Sequence, residues 1–496
     1  MKQIKSVFRK NALSLPFFSR LLLTFCLCSM LALLLFLTKY NHPHTDNYVV
    51  MINVKKYGFD GYAQFIYQKW SGRFLSDYLL RIEAYQQFLI SHYWVHTTFL
   101  LLLNTISCIV LFFTINKYLA NFTSKNSIVI LLALCYMAVQ ITSLPEISSA
   151  YYWLSSGVTY QPSIILIQFE LALLIVFYKT QNILGKWLCA LLIAVSIVLI
   201  NFNNELSVLI NGSLLAIVFV ATARVQNLPF IILAILVYAI SMYLTISAPG
   251  NYLRSAHIPK AGFAKAIATS LARTSFATWI ILKNPMVLCG LLAAFFSGSY
   301  FVVNSHAFKL KSIFTNNIWA IWLFSPVLII LIFIPIMYVS NGSFPERVNN
   351  ELVQYFIMLL LCAAFFTGNF FRINIQGSKL VLVFTFAFAL TLCCNSFYGQ
   401  LLKSCITGKA HDLVLTQRAQ TLQHGANTRQ NTVTLLSYDK HLDSLLNTTF
   451  KYEKEQLKTM IRQKPSFLYL YDDLTSTESV NVLRVFYGLQ EIKVIR

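Results

Sequence analysis

Residues 185–222 read GKWLCALLIAVSIVLINFNNELSVLINGSLLAIVFVAT and decide the fold class of this chain. The two apolar runs, 185–202 and 205–222, are each close to the roughly 20 residues that a helix needs to cross a bilayer core of about 30 Å. Only the polar residues around Asn203 separate them, so the chain must reverse direction in a very short turn. The stretch therefore predicts two neighbouring membrane-spanning helices.

Further apolar stretches of similar length extend this prediction to about eleven spans. Hydrophobic residues are 57% of the chain and charged residues only 11%. Soluble domains carry roughly a quarter charged residues, so a soluble globular protein is excluded. The sequence predicts an all-α polytopic membrane protein. The other predicted spans are 18–39, 94–115, 127–144, 162–178, 228–247, 285–303, 316–339, 351–371 and 379–397.

The net charge of +21 sets the topology rather than indicating nucleic acid, because the basic residues are scattered through short loops. We interpret 21–37 as a retained first helix, since no small-x-small cleavage site follows it. An inside N-terminus, together with an odd number of spans, places the C-terminal segment outside. In a bacterial inner (cytoplasmic) membrane, outside is the periplasm. The inside loops then hold Lys117, Lys125, Lys179, Lys186, Arg224, Lys309, Lys311, Arg372 and Lys379.

Three segments are long enough to form structure outside the membrane. The first outer loop, 40–93, has apolar spacing typical of amphipathic helices on the membrane surface. The second, 248–284, carries basic residues and no acid. The tail, 398–496, is predicted to be a small periplasmic α/β domain beside a transmembrane module of residues 1–397. Its predicted strands are 432–436, 467–471 and 491–495, and its predicted helices are 411–423 and 443–463.

The cysteines do not indicate a cofactor or a disulfide framework. Nine of the ten lie in apolar spans, and there is no CxxC or Cys/His metal spacing. The sequence therefore predicts no zinc site, and the only cofactor left open is a divalent cation.

Candidate chemical groups lie in the outer loops. Asp46 follows the first span and could act as a general base, bind a divalent cation or simply cap a helix. Asp60 and Asp77 are weaker rivals in the same loop. Trp70 offers an aromatic ring, and Arg73 offers a guanidinium suited to binding phosphate. The same two residues would also be expected if Trp70 only lies at the membrane interface and Arg73 only reaches the lipid head groups.

The remaining outer candidates are an acid-and-aromatic loop, an Asn-Glu turn and two arginines. Glu146, Trp153 and Tyr160 could line a carbohydrate cleft or form an interfacial aromatic belt. The turn residues Asn204 and Glu205 fit a site and a helix cap equally well. The arginines, beside turn-forming residues, suit a lipid phosphate or head-group anchoring; they are Arg254 and Arg347.

Glu170 favours a different class of protein. It is the one clear acid inside a predicted span, and intramembrane acids mark functional sites by default, including those of transporters. It could equally pair with a neighbouring helix. A transporter or flippase of lipid-linked sugars is therefore the alternative to an enzyme.

The order of these motifs resembles a known family pattern. An acid follows the first helix, and after it come Trp-x-Gly-Arg at 70–73, Gly-x-x-Tyr-x-Pro at 157–162, Asn-Glu at 204–205, Pro-Gly-Asn-x-x-Arg at 249–254 and Pro-x-Arg at 345–347. The tail adds an arginine-bearing helix with Arg418 and a closing Tyr-Gly-Leu at 487–489. The chain is similar to largely uncharacterised bacterial polytopic proteins allied to O-antigen glucosyltransferases of the GT-C glycosyltransferase superfamily.

The resemblance implies a GT-C-like fold and transfer of a sugar from a polyprenyl-phosphate carrier to a cell-envelope glycan or glycolipid acceptor on the outer face. It implies that Asp46 serves as base or metal ligand. Asn47 replaces the second acid that many members have, which weakens the metal reading. A polysaccharide polymerase or ligase is a closer enzymatic rival. If the reading holds, one outer cavity should be ringed by Asp46, Arg73, Glu146, Glu205, Arg254 and Arg347.

Overall fold

The computed structural model describes residues 2–85, 92–120, 125–222, 228–256, 259–304, 318–342, 345–371, 377–451, 453, 455–462, 468–469, 474 and 476–495. Nearly all of these residues are helical. The α-helices are α1 Lys2–Leu37, α2 Thr45–Lys69, α3 Phe74–Tyr85, α4 Trp94–Thr114, α5 Asn126–Thr142, α6 Leu154–Lys179, α7 Ile183–Asn201, α8 Glu205–Thr222, α9 Leu228–Ile246, α10 Pro249–Ala256, α11 Phe263–Lys283, α12 Pro285–Asn304, α13 Ile318–Val339, α14 Glu346–Phe371, α15 Gly377–Cys394, α16 Ser396–Asn427, α17 Tyr438–Asn447, α18 Glu455–Arg462 and α19 Thr477–Tyr487.

Among the described residues, seven helices are long and apolar enough to cross a bilayer, which supports a multi-pass membrane architecture. An eighth crossing is added if α11 and α12, which meet at 82°, form one broken span. The apolar segments Asn126–Thr142, Glu205–Phe219 and Val383–Cys394 are shorter than a full span. Eleven crossings therefore remain a prediction. The loop cations Arg224, Lys309, Lys311 and Arg372 lie outside the described residues, as does the side chain of Lys379.

The turn between α7 and α8 is as short as the sequence predicts. α7 ends at Asn201 and α8 begins at Glu205. The Asn203 amide donates to the Thr159 carbonyl oxygen at 2.6 Å and to Ser163 Oγ at 2.7 Å, which ties the turn to α6. The Asn203 amide thus supplies hydrogen bonds to a backbone carbonyl and a hydroxyl that are buried beside this turn.

Two glycines allow α12 and α14 to cross in backbone contact. A Cβ at Gly298 would overlap the Phe365 carbonyl oxygen, and one at Gly368 would overlap the Phe295 carbonyl oxygen. The Ser299 hydroxyl donates to the Gly368 carbonyl oxygen at 2.7 Å. Small residues at the crossing and an interhelical hydrogen bond are typical of helix packing in membranes.

The tail combines helices with a small parallel sheet. Strand β1 (Thr432–Leu436) pairs with β2 (Glu491–Ile495), with Thr432 opposite Glu491. Both strands were predicted at these residues. Of the third predicted strand, 467–471, only Leu468 and Tyr469 are described, and neither lies in a strand. The predicted helix 443–463 is instead divided into α17 and α18, and α16 runs across the predicted boundary at 397 and 398.

The tail packs against the first outer loop. The Thr45 hydroxyl donates to Ser479 Oγ at 3.0 Å, and the Tyr48 ring meets the Phe486 ring at 4.8 Å. His42 Nε2 lies 2.8 Å from Asp412 Oδ1. Tyr48 is buried in the same hydrophobic cluster as the tail residues of β1 and β2. The tail and the loop after α1 must therefore lie on the same side of the membrane.

Candidate functional site

Two glycine-containing turns bring separate parts of the chain into backbone contact. A Cβ at Gly72 would overlap the Thr245 carbonyl oxygen, and one at Gly250 would overlap the backbone nitrogen of Trp70. The Trp-Ser-Gly-Arg turn after α2 thus packs directly on the start of α10. The glycines in both sequence motifs are explained by this close approach, which leaves no room for a side chain.

Arg73 and Arg254 share the carboxylate of Glu205, and we call these three residues the arginine–glutamate cluster. Arg73 Nε and NH2 each lie 2.8 Å from Glu205 Oε2, and Arg254 NH2 lies 2.7 Å from Oε1. The side chains are only 21%, 29% and 27% exposed for Arg73, Glu205 and Arg254 respectively, so the cluster is half-buried but reaches solvent. Two guanidiniums against one carboxylate leave a positive charge, which suits an anionic ligand.

Trp70 and Tyr160 border the cluster. The Arg254 guanidinium lies 5.9 Å from the Trp70 ring centroid, within the range of a cation–π contact. Trp70 itself is 55% exposed. Tyr160 is buried on α6 and acts electrostatically on Arg73. Burial acts to lower the pKa of Arg73, but the electrostatic effects of Glu205, Tyr160 and Asp77 and the hydrogen bond to Glu205 together outweigh it. The pKa therefore lies above its ordinary value and the guanidinium stays charged.

Behind the cluster, Asn204 leads to an acid that sequence reasoning missed. The Asn204 amide donates to Glu351 Oε2 at 3.1 Å, and the Ser207 hydroxyl donates to Glu351 Oε1 at 2.8 Å. Glu351 is 1% exposed and also feels the Arg73 charge. It lies in the first turns of α14, where the sequence could have flagged it as a second acid at the edge of an apolar span.

Asp77, a weaker candidate by sequence, lies beside the cluster with an unusual protonation equilibrium. Burial raises the pKa of its carboxyl to about 7, against the opposing charges of Arg73 and Arg81 and with a smaller contribution from Glu205. Ser71 Oγ lies 3.5 Å from Asp77 Oδ2. A carboxyl that titrates near neutral pH can accept a proton in one step and return it in another.

A cavity of about 200 Å³ opens at Asp77. Its walls come from the end of α2, the following turn and α3, and they combine aromatic rings with an amide, a hydroxyl and a guanidinium. Such a mixed lining suits a small polar group such as part of a sugar. The lining residues are Ala63, Gln64, Tyr67, Ser71, Phe74, Asp77 and Arg81.

Asp46 lies in the first turn of α2 and is exposed. Asp46 and Asp77 both act on the hydroxyl of Tyr62, whose pKa is raised mainly by burial and further by the two carboxylates. The neighbouring Asn47 is buried: its amide donates to Ser155 Oγ at 3.1 Å, and its oxygen accepts from the Tyr93 hydroxyl at 2.9 Å. Because a carboxylate has no N–H to donate, this packing explains why an asparagine stands at position 47.

Arg347 and Trp153 form a second group, which makes no hydrogen bond or ion pair with the arginine–glutamate cluster among the described residues. The Arg347 guanidinium lies 4.8 Å from the Trp153 ring centroid, and the His44 ring meets Trp153 at 5.6 Å. Glu146 contributes through its backbone, since its N–H donates to Asn350 Oδ1 at 3.0 Å and its carbonyl accepts from the Asn350 amide at 2.8 Å.

The predicted ring of six residues is thus brought together only in part. Arg73, Glu205 and Arg254 are in direct contact, whereas Arg347 lies on Trp153. Within the described ranges, the carboxylates of Asp46 and Glu146 make no hydrogen bond or ion pair with either group. Among those same residues, no group of three His, Cys, Asp or Glu side chains is placed to hold a metal ion. Compared with protein-family models, curated proteins and solved structures, the chain matches none of them.

Proposed function

We propose that this protein is a membrane glycosyltransferase of GT-C type that transfers a sugar from a polyprenyl-phosphate-linked donor to a cell-envelope glycan or glycolipid. The observation that carries this proposal is the Asp77 carboxyl, whose pKa is about 7. It lines a cavity and lies near the guanidiniums of Arg73 and Arg81. The protein is proposed to lie in a bacterial inner membrane, with its N-terminus cytoplasmic and its tail periplasmic. The reaction then takes place on the face that holds the first outer loop.

In the proposed mechanism, an acceptor hydroxyl attacks the anomeric carbon of the donor. The new bond joins the hydroxyl oxygen to that carbon, while the bond from carbon to phosphate oxygen breaks and its electron pair leaves with the phosphate. Asp77 accepts the hydroxyl proton. Outer-face arginines stabilise the charge that develops on the departing lipid phosphate. Asp46 remains the second candidate base, because its charge also acts on Tyr62.

A reconstituted transfer assay tests the function and the choice of base together. Liposomes containing the full chain receive a radiolabelled polyprenyl-phosphate sugar and a lipid-linked glycan acceptor. Asp77→Asn should reduce transfer by at least 100-fold, while Asp60→Asn, an exposed carboxylate on α2, should leave it unchanged. Loss of transfer in Asp46→Asn with full activity in Asp77→Asn would reassign the base. Absence of transfer with every donor and acceptor would reject the enzyme.

Glu170 supports the transporter alternative. It is fully buried in α6, and its carboxylate oxygens have no hydrogen-bond partner in the described part of the chain. The same liposomes report movement of the labelled lipid between leaflets. Movement without sugar transfer, abolished by Glu170→Gln, would favour a flippase over the glycosyltransferase.

A further inference from the structure

Arg347 differs from the other two candidate arginines because no carboxylate pairs with it. Arg73 and Arg254 share Glu205, whereas Arg347 makes no ion pair within the ranges that the structure describes. The adjacent acid, Glu346, is directed elsewhere and accepts a hydrogen bond from the Asn349 amide at 2.6 Å. The Arg347 guanidinium is therefore the one best placed to bind an anion without displacing an internal partner.

The position of Arg347 over Trp153 is fixed by the elements that carry the two residues. Trp153 follows the π-helical turn Ser148–Tyr152, and Arg347 lies in the first turn of α14. Asn350, one turn further along α14, is buried and joins the two elements through Glu146 and the Ser149 hydroxyl. The contact between Arg347 and Trp153 is thus preorganised, which lowers the entropic cost of binding a ligand.

Trp153 supplies a second hydrogen-bond donor. Its indole N–H is buried and has no acceptor among the described residues. A buried N–H without an acceptor costs about 1–3 kcal/mol, which a ligand oxygen would offset. A planar guanidinium matches the spacing of two phosphate oxygens, so both donors favour a ligand that offers several acceptors and a negative charge.

We infer that Arg347 and Trp153 form a binding site for the phosphate of a phosphate ester, separate from the arginine–glutamate cluster. The ligand that this site takes is the phosphate of the lipid-linked donor, and in that respect the inference rests on the proposed function. The arginine–glutamate cluster then organises the base and the acceptor cavity rather than holding the carrier phosphate.

Calorimetric titration tests this site. Full-length protein in phosphatidylcholine nanodiscs is titrated with a short-chain polyprenyl monophosphate, and separately with inorganic phosphate and a short-chain phosphatidylglycerol. Arg347→Ala should weaken binding of the polyprenyl phosphate at least 10-fold. Trp153→Phe retains the ring without the N–H and should weaken it several-fold. Arg484→Ala, which alters a half-buried tail arginine, is the matched control and should bind as the parent does. Arg347→Lys, which keeps the charge, provides an intermediate loss if the alanine variant does not fold.

Three results bear on the inference in different ways. Loss of inorganic phosphate binding in Arg347→Ala supports the site with the phosphate alone as the recognised group. If Arg347→Ala binds polyprenyl phosphate normally while Arg254→Ala loses this binding, the proposed site is wrong. It is also wrong if Arg347→Ala weakens the binding of phosphatidylglycerol alone. Asp77→Asn should bind the probe normally without transferring sugar. A parent protein that binds through Arg347 but never transfers sugar would contradict the proposed function and leave this site standing.

Discussion

At the scale of single residues, Glu205 holds together three segments that are far apart in sequence. Its carboxylate binds Arg73 from the turn before α3 and Arg254 from α10, while Glu205 itself begins α8. A partly buried charge shared between two partners is costly to remove, because the partners remain desolvated and repel each other. The glutamate is therefore a structural requirement of the site whatever the ligand.

Glu205→Gln should destabilise the protein because it keeps the shape of the side chain and removes its charge. We expect a loss of roughly 1–3 kcal/mol, below the value for a fully buried pair since the cluster reaches solvent. Thermal unfolding in detergent measures the change. Glu455→Gln, whose glutamate is 77% exposed and among the described residues pairs only with Lys458, serves as control and should cost less than about 0.5 kcal/mol. Equal effects of the two substitutions would contradict the role given to Glu205.

Asp77 should make the protein less stable as the pH rises. Its carboxyl pKa is about 7 in the folded chain and near the ordinary 3.8 when unfolded. Between these values the folded state binds a proton that the unfolded state has lost, so stability falls as the pH rises from about 4 to about 7. Asp77→Asn removes the ionisable group and should raise the melting temperature at pH 8.

The pH dependence of that gain separates ionisation from other effects of the substitution. The difference between Asp77→Asn and the parent should shrink toward pH 4, where both side chains are neutral. Asp60→Asn should show no such trend. A variant with lower stability at pH 8 would mean that the Asp77 carboxylate is compensated by its arginines. A stabilised but inactive variant would indicate that the site trades stability for reactivity.

At the scale of elements, the crossing of α12 and α14 depends on glycine. Gly298→Ala and Gly368→Ala each place a methyl group against a carbonyl oxygen of the other helix, so the helices must separate. We expect a loss of about 1–3 kcal/mol for each, measured by thermal unfolding and by the monodisperse fraction in size-exclusion chromatography. Gly399→Ala is the control, since a Cβ there meets nothing within 4 Å. An unchanged melting temperature in Gly298→Ala would contradict the close crossing.

Most elements could be predicted from the sequence because apolar length and turn residues are local signals. The reversal at Asn203 and the strands β1 and β2 lie where patterning placed them. The close approach of Gly72 to the end of α9, and of Gly250 to Trp70, could not be predicted, since it depends on how distant turns meet. The raised pKa of Asp77 could not be predicted either, because it depends on burial and on the nearby Arg73 and Arg81 rather than on position along the chain.

At the scale of the whole molecule, the contact between the tail and the first outer loop constrains the number of membrane crossings. The tail touches the loop through Thr45, Tyr48 and His42. The two segments therefore share one side of the membrane, and an even number of crossings must separate them. Together with α1, the total is odd. Eleven crossings satisfy this requirement, whereas eight separate crossings do not. The seven longest apolar helices alone would place three crossings, α4, α6 and α7, between Arg73 and Glu205, although these two residues are in contact.

Cysteine labelling in a cysteine-free background tests this parity. Lys56→Cys on α2 and Glu455→Cys in the tail are both at exposed positions and should react with a membrane-impermeant maleimide added outside intact cells. Gln181→Cys, in the loop between α6 and α7, should react only after the membrane is permeabilised, because the neighbouring Lys179 and Lys186 favour the inside. If the tail site and the α2 site are labelled from opposite sides, their packing in one folded chain is impossible. If the pattern is inverted, with Gln181→Cys reacting from outside and the other two sites only after permeabilisation, the orientation derived from the loop cations is wrong while the odd number of crossings can still hold.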